Sequence, residues 1–342
     1  MEFLLDPAVT FLNHGSYGAC PAPVFARYQE LQRELERNPV EFLGRRFDTL
    51  IAESRTALAG FLGARPDDLV FVPNATAGLN AVIRSLRLEP GDEVLTTRHE
   101  YGAVTRTWEF IGADLVYAEL DELVDAIGPR TKAVSVSHIT SPTALVLPVE
   151  EICAAAREAG ALAIVDGAHA PGQLPLHLER LGADIYAGNC HKWLSAPKGA
   201  GFLWARPEHQ IWIEPLVVSW GYDEGFAKRH GWQGTRDPTA ALAVPAAIEA
   251  HRQLDLERCR RLAAAFHDRL PPVGPAPAPQ MWATELATDE PAELQRRLFD
   301  EHAIEVVVRE WEGRSLLRVS IAPYNDEADV ERLLTALHVE LG

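Results

Sequence analysis

Lysine is scarce in this chain: of 32 basic residues only Lys132, Lys192, Lys198 and Lys228 are lysines, and arginine supplies the rest. Positive charge is short altogether, because 49 acidic residues bring the formal net charge to −17. That balance excludes sequence-independent nucleic-acid binding, which needs a basic footprint. No basic amphipathic stretch suits a membrane surface, and no apolar run is long enough to span a bilayer. Cysteine is sparse as well. Cys20, Cys153, Cys190 and Cys259 lie far apart without a CxxC pair, which fits neither a disulfide framework nor a zinc site. Met1 to Asp6 lack the basic start and apolar core of a secretory signal. The expectation is a soluble, cytoplasmic protein with no nucleic-acid or membrane partner.

What is present is a long run of alternating elements. At 342 residues the chain suits a large domain plus a smaller one. A polar loop, TFLNHGSYGACPAP, precedes helices over residues 22–62, where Val24, Tyr28, Leu31 and Leu35 recur at helical spacing and Asn38-Pro39 interrupts. Strands are expected at 68–72, 94–97, 115–118, 132–137, 161–165, 183–187 and 201–204, with a helix over 150–160. Their continuous apolar composition, interleaved with helices, predicts an α/β fold with a mainly parallel sheet covered on both faces. An Ala-rich stretch, 238–270, reads as one long connector helix or a kinked pair, and PPVGPAPAP after it as a Pro-rich linker. A strand (281–287), a helix (291–302), a strand pair (304–321) and a last helix (326–341) then predict a small C-terminal α+β domain. The expected division is an N-terminal arm and substrate loop (1–20), a large domain (21–237), the connector (238–270) and the small domain (271–342).

In parallel sheets, functional groups gather where strands end. Thr76, Tyr101, His138, Asp166 and Lys192 each follow a separate predicted strand. A rare amine set among small and aromatic residues invites chemistry that a guanidinium cannot do, namely Schiff-base formation with an aldehyde. The working hypothesis is a pyridoxal-phosphate enzyme with Lys192 holding the cofactor. Such a site needs four further groups. Asp166 can keep the pyridine nitrogen protonated, although taken alone it reads more readily as a turn-forming Asp before Gly167. The turn Pro73 to Gly78 leads from a strand into a helix N-terminus, where free N–H groups and the helix dipole favour an anion. With Thr76, Asn189 and His191 it can bind phosphate, or it is an ordinary capped helix start. Tyr101 is the candidate for stacking on the ring, and His99 the weaker one. Arg318, among strand-forming apolar residues, suits a substrate carboxylate or a structural ion pair.

The segments NATAGLNAV, RHEYGAVTRTW, SHITSPTALVLPV, IVDGAHAPG, GNCHKWLSAPKGAGFLW, GTRDP and LRVSIAPYND follow one another in this order. Together they resemble the class V aminotransferase superfamily of fold type I, and within it isopenicillin N epimerase-like proteins, over about residues 10–330. The resemblance implies the cofactor bond at Lys192, Asp166 on the pyridine nitrogen, His169 near the phenolic oxygen and Tyr101 over the ring. It also implies His138 beside the substrate or the phenolic oxygen, and phosphate contacts from Thr76, Ala77, Asn189 and His191. Gly234 and Thr235 would reach the phosphate of the neighbouring subunit, so the site would be shared in a homodimer. Asn13, His14, Gly15 and Ser16 match the substrate loop, and Arg318 the carboxylate-binding arginine. Ala144 departs from the pattern, standing where glycine is usual.

The reaction is less fixed than the cofactor. Desulfurases of this superfamily need a nucleophilic cysteine shortly before the carboxylate-binding arginine, and no cysteine lies between the linker and Arg318. Epimerisation, C–S β-elimination and transamination all begin with removal of the Cα proton, for which Lys192 is placed as base. Epimerisation needs a second acid–base group on the opposite face, from Tyr101, His138 or a water. The sequence reads as an epimerase-like enzyme of an α-amino acid, with β-lyase and aminotransferase as alternatives. A metal-dependent hydrolase using Asp166, His169, His191, His138 and His99 is the reading from another class; it leaves Lys192 unexplained and lacks a helix-borne His pair.

Overall fold

The computed structural model describes residues Met1–Gly342. Its strands are β1 (Thr10–Phe11), β2 (Leu69–Val72), β3 (Glu93–Thr96), β4 (Asp114–Tyr117), β5 (Thr131–Ser137), β6 (Leu162–Gly167), β7 (Ile185–Asn189), β8 (Gly201–Ala205), β9 (Met281–Leu286), β10 (Ile304–Glu305), β11 (Val307–Trp311) and β12 (Arg314–Ser320). Seven of them form one sheet in the order β2-β8-β7-β6-β5-β3-β4. From β7 to β4 every pairing is parallel, whereas β8 runs antiparallel to both β7 and β2. The residues of β2, β7 and β8 are buried throughout, the signature of a sheet covered on both faces. Helices Ala75–Ser85 and Gly102–Phe110 help to cover one face and Val149–Ala159 the other, so that two apolar clusters flank the sheet. No helix is long and apolar enough to cross a membrane.

A second sheet, β11-β12-β9, is antiparallel and packs with Pro291–Asp300 and Glu327–Leu341 around its own cluster of Trp282, Leu294, Leu317 and Leu333. An Asp326–Asp329 capping box starts the last helix. The N-terminal segment crosses to this cluster: β1 pairs with β10 in parallel, and Leu12 is fully buried there. This crossing carries Asn13–Ser16 into the space between the two sheets.

Two stretches differ from the sequence reading. Residues 238–270 form three helices, Thr239–Leu242, Val244–Arg252 and Leu256–Ala265, rather than one or a kinked pair. Pro245 cannot donate back into the preceding turn, and the Asp255 side chain accepts from Arg258 N to start a new helix. The Pro-rich stretch is no free linker. Its non-proline residues are tied down: Val273 N donates to Ala283 O, Val146 N to Ala276 O, and Ala278 N to Ala144 O, at 2.8–2.9 Å. The first helical region also contains a π-helical turn, Phe42–Arg46, that its periodicity did not reveal.

Candidate active site

Lys192 lies in the turn between β7 and β8, which closes on itself through Cys190 N to Ala200 O (2.9 Å) and Ala196 N to Cys190 O (3.0 Å). The N-terminal loop clamps this turn from outside. His14 Nε2 donates to the Lys192 carbonyl at 3.0 Å, so its Nδ1 is the acceptor for the Tyr324 hydroxyl, also at 3.0 Å. Burial lowers the His14 pKa to about 4, which keeps this neutral tautomer at neutral pH. Lys198 Nζ donates to Gly18 O at 2.9 Å. A Cβ at Gly18, whose φ is +70°, would sit 2.0 Å from the His191 carbonyl oxygen, so the clamp requires glycine there.

The protonation state of the amine follows from its neighbours. Lys192 Nζ is 3.0 Å from His169 Nε2, and Trp193 Nε1 is 3.4 Å from His169 Nδ1. Tryptophan can only donate, so Nδ1 accepts and the ring proton sits on Nε2. That proton then points at the lysine, which must offer a lone pair. Lys192 is accordingly pushed down to about 7, by burial first and by the Arg318 charge next, with Asp166 opposing and Arg309 adding to the fall. A neutral, nucleophilic amine is the form this pocket favours.

Asp166 is the penultimate residue of β6, beside Ser137 of β5. One carboxylate oxygen accepts from Ala168 N at 2.8 Å, and no other hydrogen bond within the chain reaches the group. Burial raises its pKa, while the Ala168 N–H and the Lys192 charge hold it down. His138 is buried next to it, its backbone N–H donating to Asp166 O at 2.8 Å. The Tyr186 hydroxyl, 2.9 Å from His138 Nδ1, has no other partner and so donates, leaving the His138 proton on Nε2. Burial pushes His138 down to about 4.

At the other end of the same sheet edge, Asn74 caps helix Ala75–Ser85 by accepting from Ala77 N at 2.9 Å, and Asn189 Oδ1 accepts from Ala75 N at 2.8 Å. Thr76 N–H, between them, is one of the first-turn donors that no helical carbonyl can reach. His191 Nδ1 donates to Ala200 O at 3.1 Å, which leaves Nε2 free. A Cβ on Gly201 would lie 2.6 Å from Asn74 Cα, so glycine there lets β8 pass close under the turn.

The second sheet brings a different chemistry. Arg318 is 3% exposed; Nη1 donates to Ser141 O at 2.7 Å, Nη2 to Ser16 Oγ at 3.1 Å, and Nε is buried without a partner. No carboxylate of the chain pairs with it, which removes the structural ion pair as an account of this residue. Burial, and then the Arg309 charge, lower its pKa to about 9. Ser16 is held in turn by Asn13 Oδ1 at 2.6 Å, and Gly15 N donates to Ser320 Oγ at 3.1 Å.

The structure therefore brings Lys192, Asp166, His169, His138, Arg318 and Asn13–Ser16 around one space, with the Asn74–Ala77 turn, Asn189 and His191 at its far end. Tyr101 stands at the rim, 46% exposed, and His99 is turned away onto Thr143 Oγ1 (2.7 Å) and the Trp311 ring. Gly234 and Thr235 do not reach Lys192 within the chain; Thr235 lines a separate cavity of about 1010 Å³ with Pro73, Gly199 and Trp232. The acid and imidazole groups considered as metal ligands do not converge. The three side chains that do converge, Glu301, His302 and Glu340, lie in the second sheet's layer. Sequence reading missed Tyr186, Trp193, Ser141 and Arg309. It also missed Glu100, a buried acid raised to about 8 by desolvation and held by Ser137 Oγ (2.6 Å) and Thr97 Oγ1 (2.9 Å). Glu100 sits inside the RHEYGA segment, where its neighbours drew all the attention.

Known proteins bear on this geometry. The sequence profile described as Aminotransferase class-V matches residues 12–271. The chain is 38% identical to an isopenicillin N epimerase of Amycolatopsis lactamdurans, over 97% of the chain and 95% of that protein. It is 37% identical to the isopenicillin N epimerase of Streptomyces clavuligerus, over 100% and 97%. Among solved structures, a lysine-to-alanine variant of C-DES with glycine covalently linked to the PLP cofactor superposes with a TM-score of 0.84, at 24% identity and over 98% and 97% of the two chains.

Proposed function

The chain belongs to the class-V aminotransferase family of pyridoxal-phosphate enzymes, and on that premise we propose that it is an epimerase acting at Cα of an α-amino acid. The residues present fit the cofactor: a buried amine lowered to about 7, a buried carboxylate with no cationic partner at hydrogen-bonding distance, and a glycine-backed helix start with a free N–H. When bound, pyridoxal phosphate supplies an aldehyde for an amine and a protonated ring that draws electrons from Cα. Lys192 would hold the aldehyde, Asp166 the ring nitrogen, His169 the phenolic oxygen, and Thr76, Ala77, Asn189 and His191 the phosphate. Arg318 and Ser16 take the substrate carboxylate, which fixes the face of Cα turned to Lys192. Lys192 removes the proton on that face. His138, with its proton on Nε2, or Tyr101 at the rim returns one on the other.

The observation that carries the reading is the 38% identity to an isopenicillin N epimerase across nearly the whole of both chains. The cysteines agree with it. Cys153, Cys190 and Cys259 are fully buried, desolvation raises the thiols of all four cysteines, the half-buried Cys20 included, and none stands on a loop shortly before Arg318, so the desulfurase arrangement is absent. The dimer is part of the same proposal: Thr235 is exposed, and Ile211, Val217, Val218 and Trp220 on the same segment leave apolar surface for a second copy. Incubating the loaded enzyme with L-amino acids in D₂O tests the reaction. Deuterium at Cα together with the D-enantiomer is expected. Pyruvate would mean β-elimination, and a keto acid with the pyridoxamine form would mean transamination; either would displace the epimerase reading.

A further inference from the structure

The register of the second sheet places a second arginine beside the first. Val307 faces Arg318 and Arg309 faces Leu316, so Arg309 and Arg318 are diagonal neighbours on one face of β11 and β12. Diagonal pairs stand roughly 7–8 Å apart, within reach of long side chains. The two guanidinium groups converge on one acceptor: Arg318 Nη1 donates to Ser141 O at 2.7 Å and Arg309 Nη2 to the same oxygen at 3.2 Å. Both Nε atoms are buried without a partner. In a chain with 49 acidic residues, no carboxylate neutralises either group. Two like charges so close, both partly or wholly out of water, are unfavourable unless an anion joins them. The Arg309 charge also reaches Lys192 and His169, so it faces the same space.

A single carboxylate would leave one of the two charges uncompensated. The burial of the pair is graded: Arg318 lies deep, while Arg309 is partly exposed. We propose that Arg318 takes the α-carboxylate and Arg309 a second anionic group, so that the substrate is an α-amino acid whose side chain bears a carboxylate or equivalent anion. This rests on the amino-acid reading above and names the substrate class for that site.

The test uses two probes of equal shape and different charge, glutarate and its monoamide, titrated by calorimetry into the pyridoxal-phosphate-loaded protein. Glutarate is expected to bind at least about tenfold more tightly, as a charge-assisted, bidentate contact should give. Arg309→Gln should bring that ratio to about one, and Arg309→Lys, which keeps the charge, should restore part of it. Arg318→Gln should weaken both probes. Equal binding of the two probes to the native protein, which needs no variant, would overturn the proposal. So would a ratio that survives in Arg309→Gln, or an equal loss of both probes there, which would mean that the two arginines share one carboxylate. The cofactor reading is scored separately by the visible band of the loaded protein and by Cα–H exchange, so either can fail alone.

Discussion

The two walls of the pocket are built on opposite principles. On the large-sheet wall, Asp166, His138, His169 and Asn189 all have partners within the fold, and burial keeps both histidines neutral. On the small-sheet wall, Arg318 and Arg309 crowd one carbonyl oxygen, keep unpaired Nε atoms and have no counter-charge. The first wall is organised before anything binds, as catalysis at a fixed atom requires. The second is completed only by an anion, which suits a surface that must release what it binds.

Breaking the first wall should cost most. Lys192→Ala should lower turnover by roughly 10⁴-fold, since it removes the group proposed as the base at Cα. It should also abolish the cofactor's retention on the peptide after borohydride reduction. If a reduced cofactor still mapped to a peptide, Lys198 would be the next amine to consider. Asp166→Asn keeps the shape and loses the charge, and a drop of about 10²–10³-fold is expected with the melting temperature little changed. Normal turnover in that variant would remove Asp166 from the ring nitrogen.

Acid should undo the large-sheet wall as well. His14 and His138 are held at about 4, as is His230 beneath the neighbouring loop, against an ordinary value of 6.5. A depressed pKa means that the unfolded chain binds the proton first. The stability linked to these groups is therefore complete above pH 6.5 and is lost progressively as pH falls from 6.5 towards 4. Each of these groups contributes a loss of up to roughly 3 kcal/mol by pH 4, part of which Glu100, raised to about 8, offsets as pH falls to 4.5; the net is read as a falling urea midpoint towards pH 4. A flat midpoint would contradict the neutral tautomers assigned here.

The second wall should yield smaller effects. Arg318→Ala is expected to raise KM for amino acids by about 10–100-fold, and far less for the corresponding amines, which lack the carboxylate. A rise of the same size for both would show that the arginine holds the pocket together rather than the substrate.

The two walls were unequally legible in the sequence. Lys192, Asp166 and the Asn74–Gly78 turn stand at strand ends in local motifs, and apolar strands announce themselves by composition. Arg309 could not be read this way, because its meaning comes from a cross-strand register with Arg318 that no local pattern encodes. Tyr186 and Trp193 carry no local signal of a role and are buried; their polar atoms acquire one only through the histidines that packing brings to them. The breaks in 238–270 follow from Pro245 and Asp255, visible signals outweighed by the alanine-rich run around them. The one strand that runs against the sheet, β8, shows the same limit, since strand direction is a property of the connections.

Ala144, in the loop that offers Ser141 to both arginines, gives the smallest and most balanced test. It adopts φ +55°, a left-handed conformation that explains why the resemblance calls for glycine there. That conformation costs an alanine about 1–2 kcal/mol. The turn is nonetheless over-determined: Ala144 N donates to Thr140 O at 3.0 Å, Ala144 O accepts from Ala278 N at 2.8 Å, and Leu145 N donates to Thr140 Oγ1 at 2.8 Å. Ala144→Gly would relieve the strain, but it would also free the unfolded chain, worth about 0.4–1 kcal/mol. It would further remove a fully buried methyl, worth about 0.8 kcal/mol. The sum should leave stability within about 1 kcal/mol of the native protein in either direction, measured by urea unfolding. A loss larger than that would mean the methyl, not the backbone, sets this loop, and that the second wall is as tightly packed as the first.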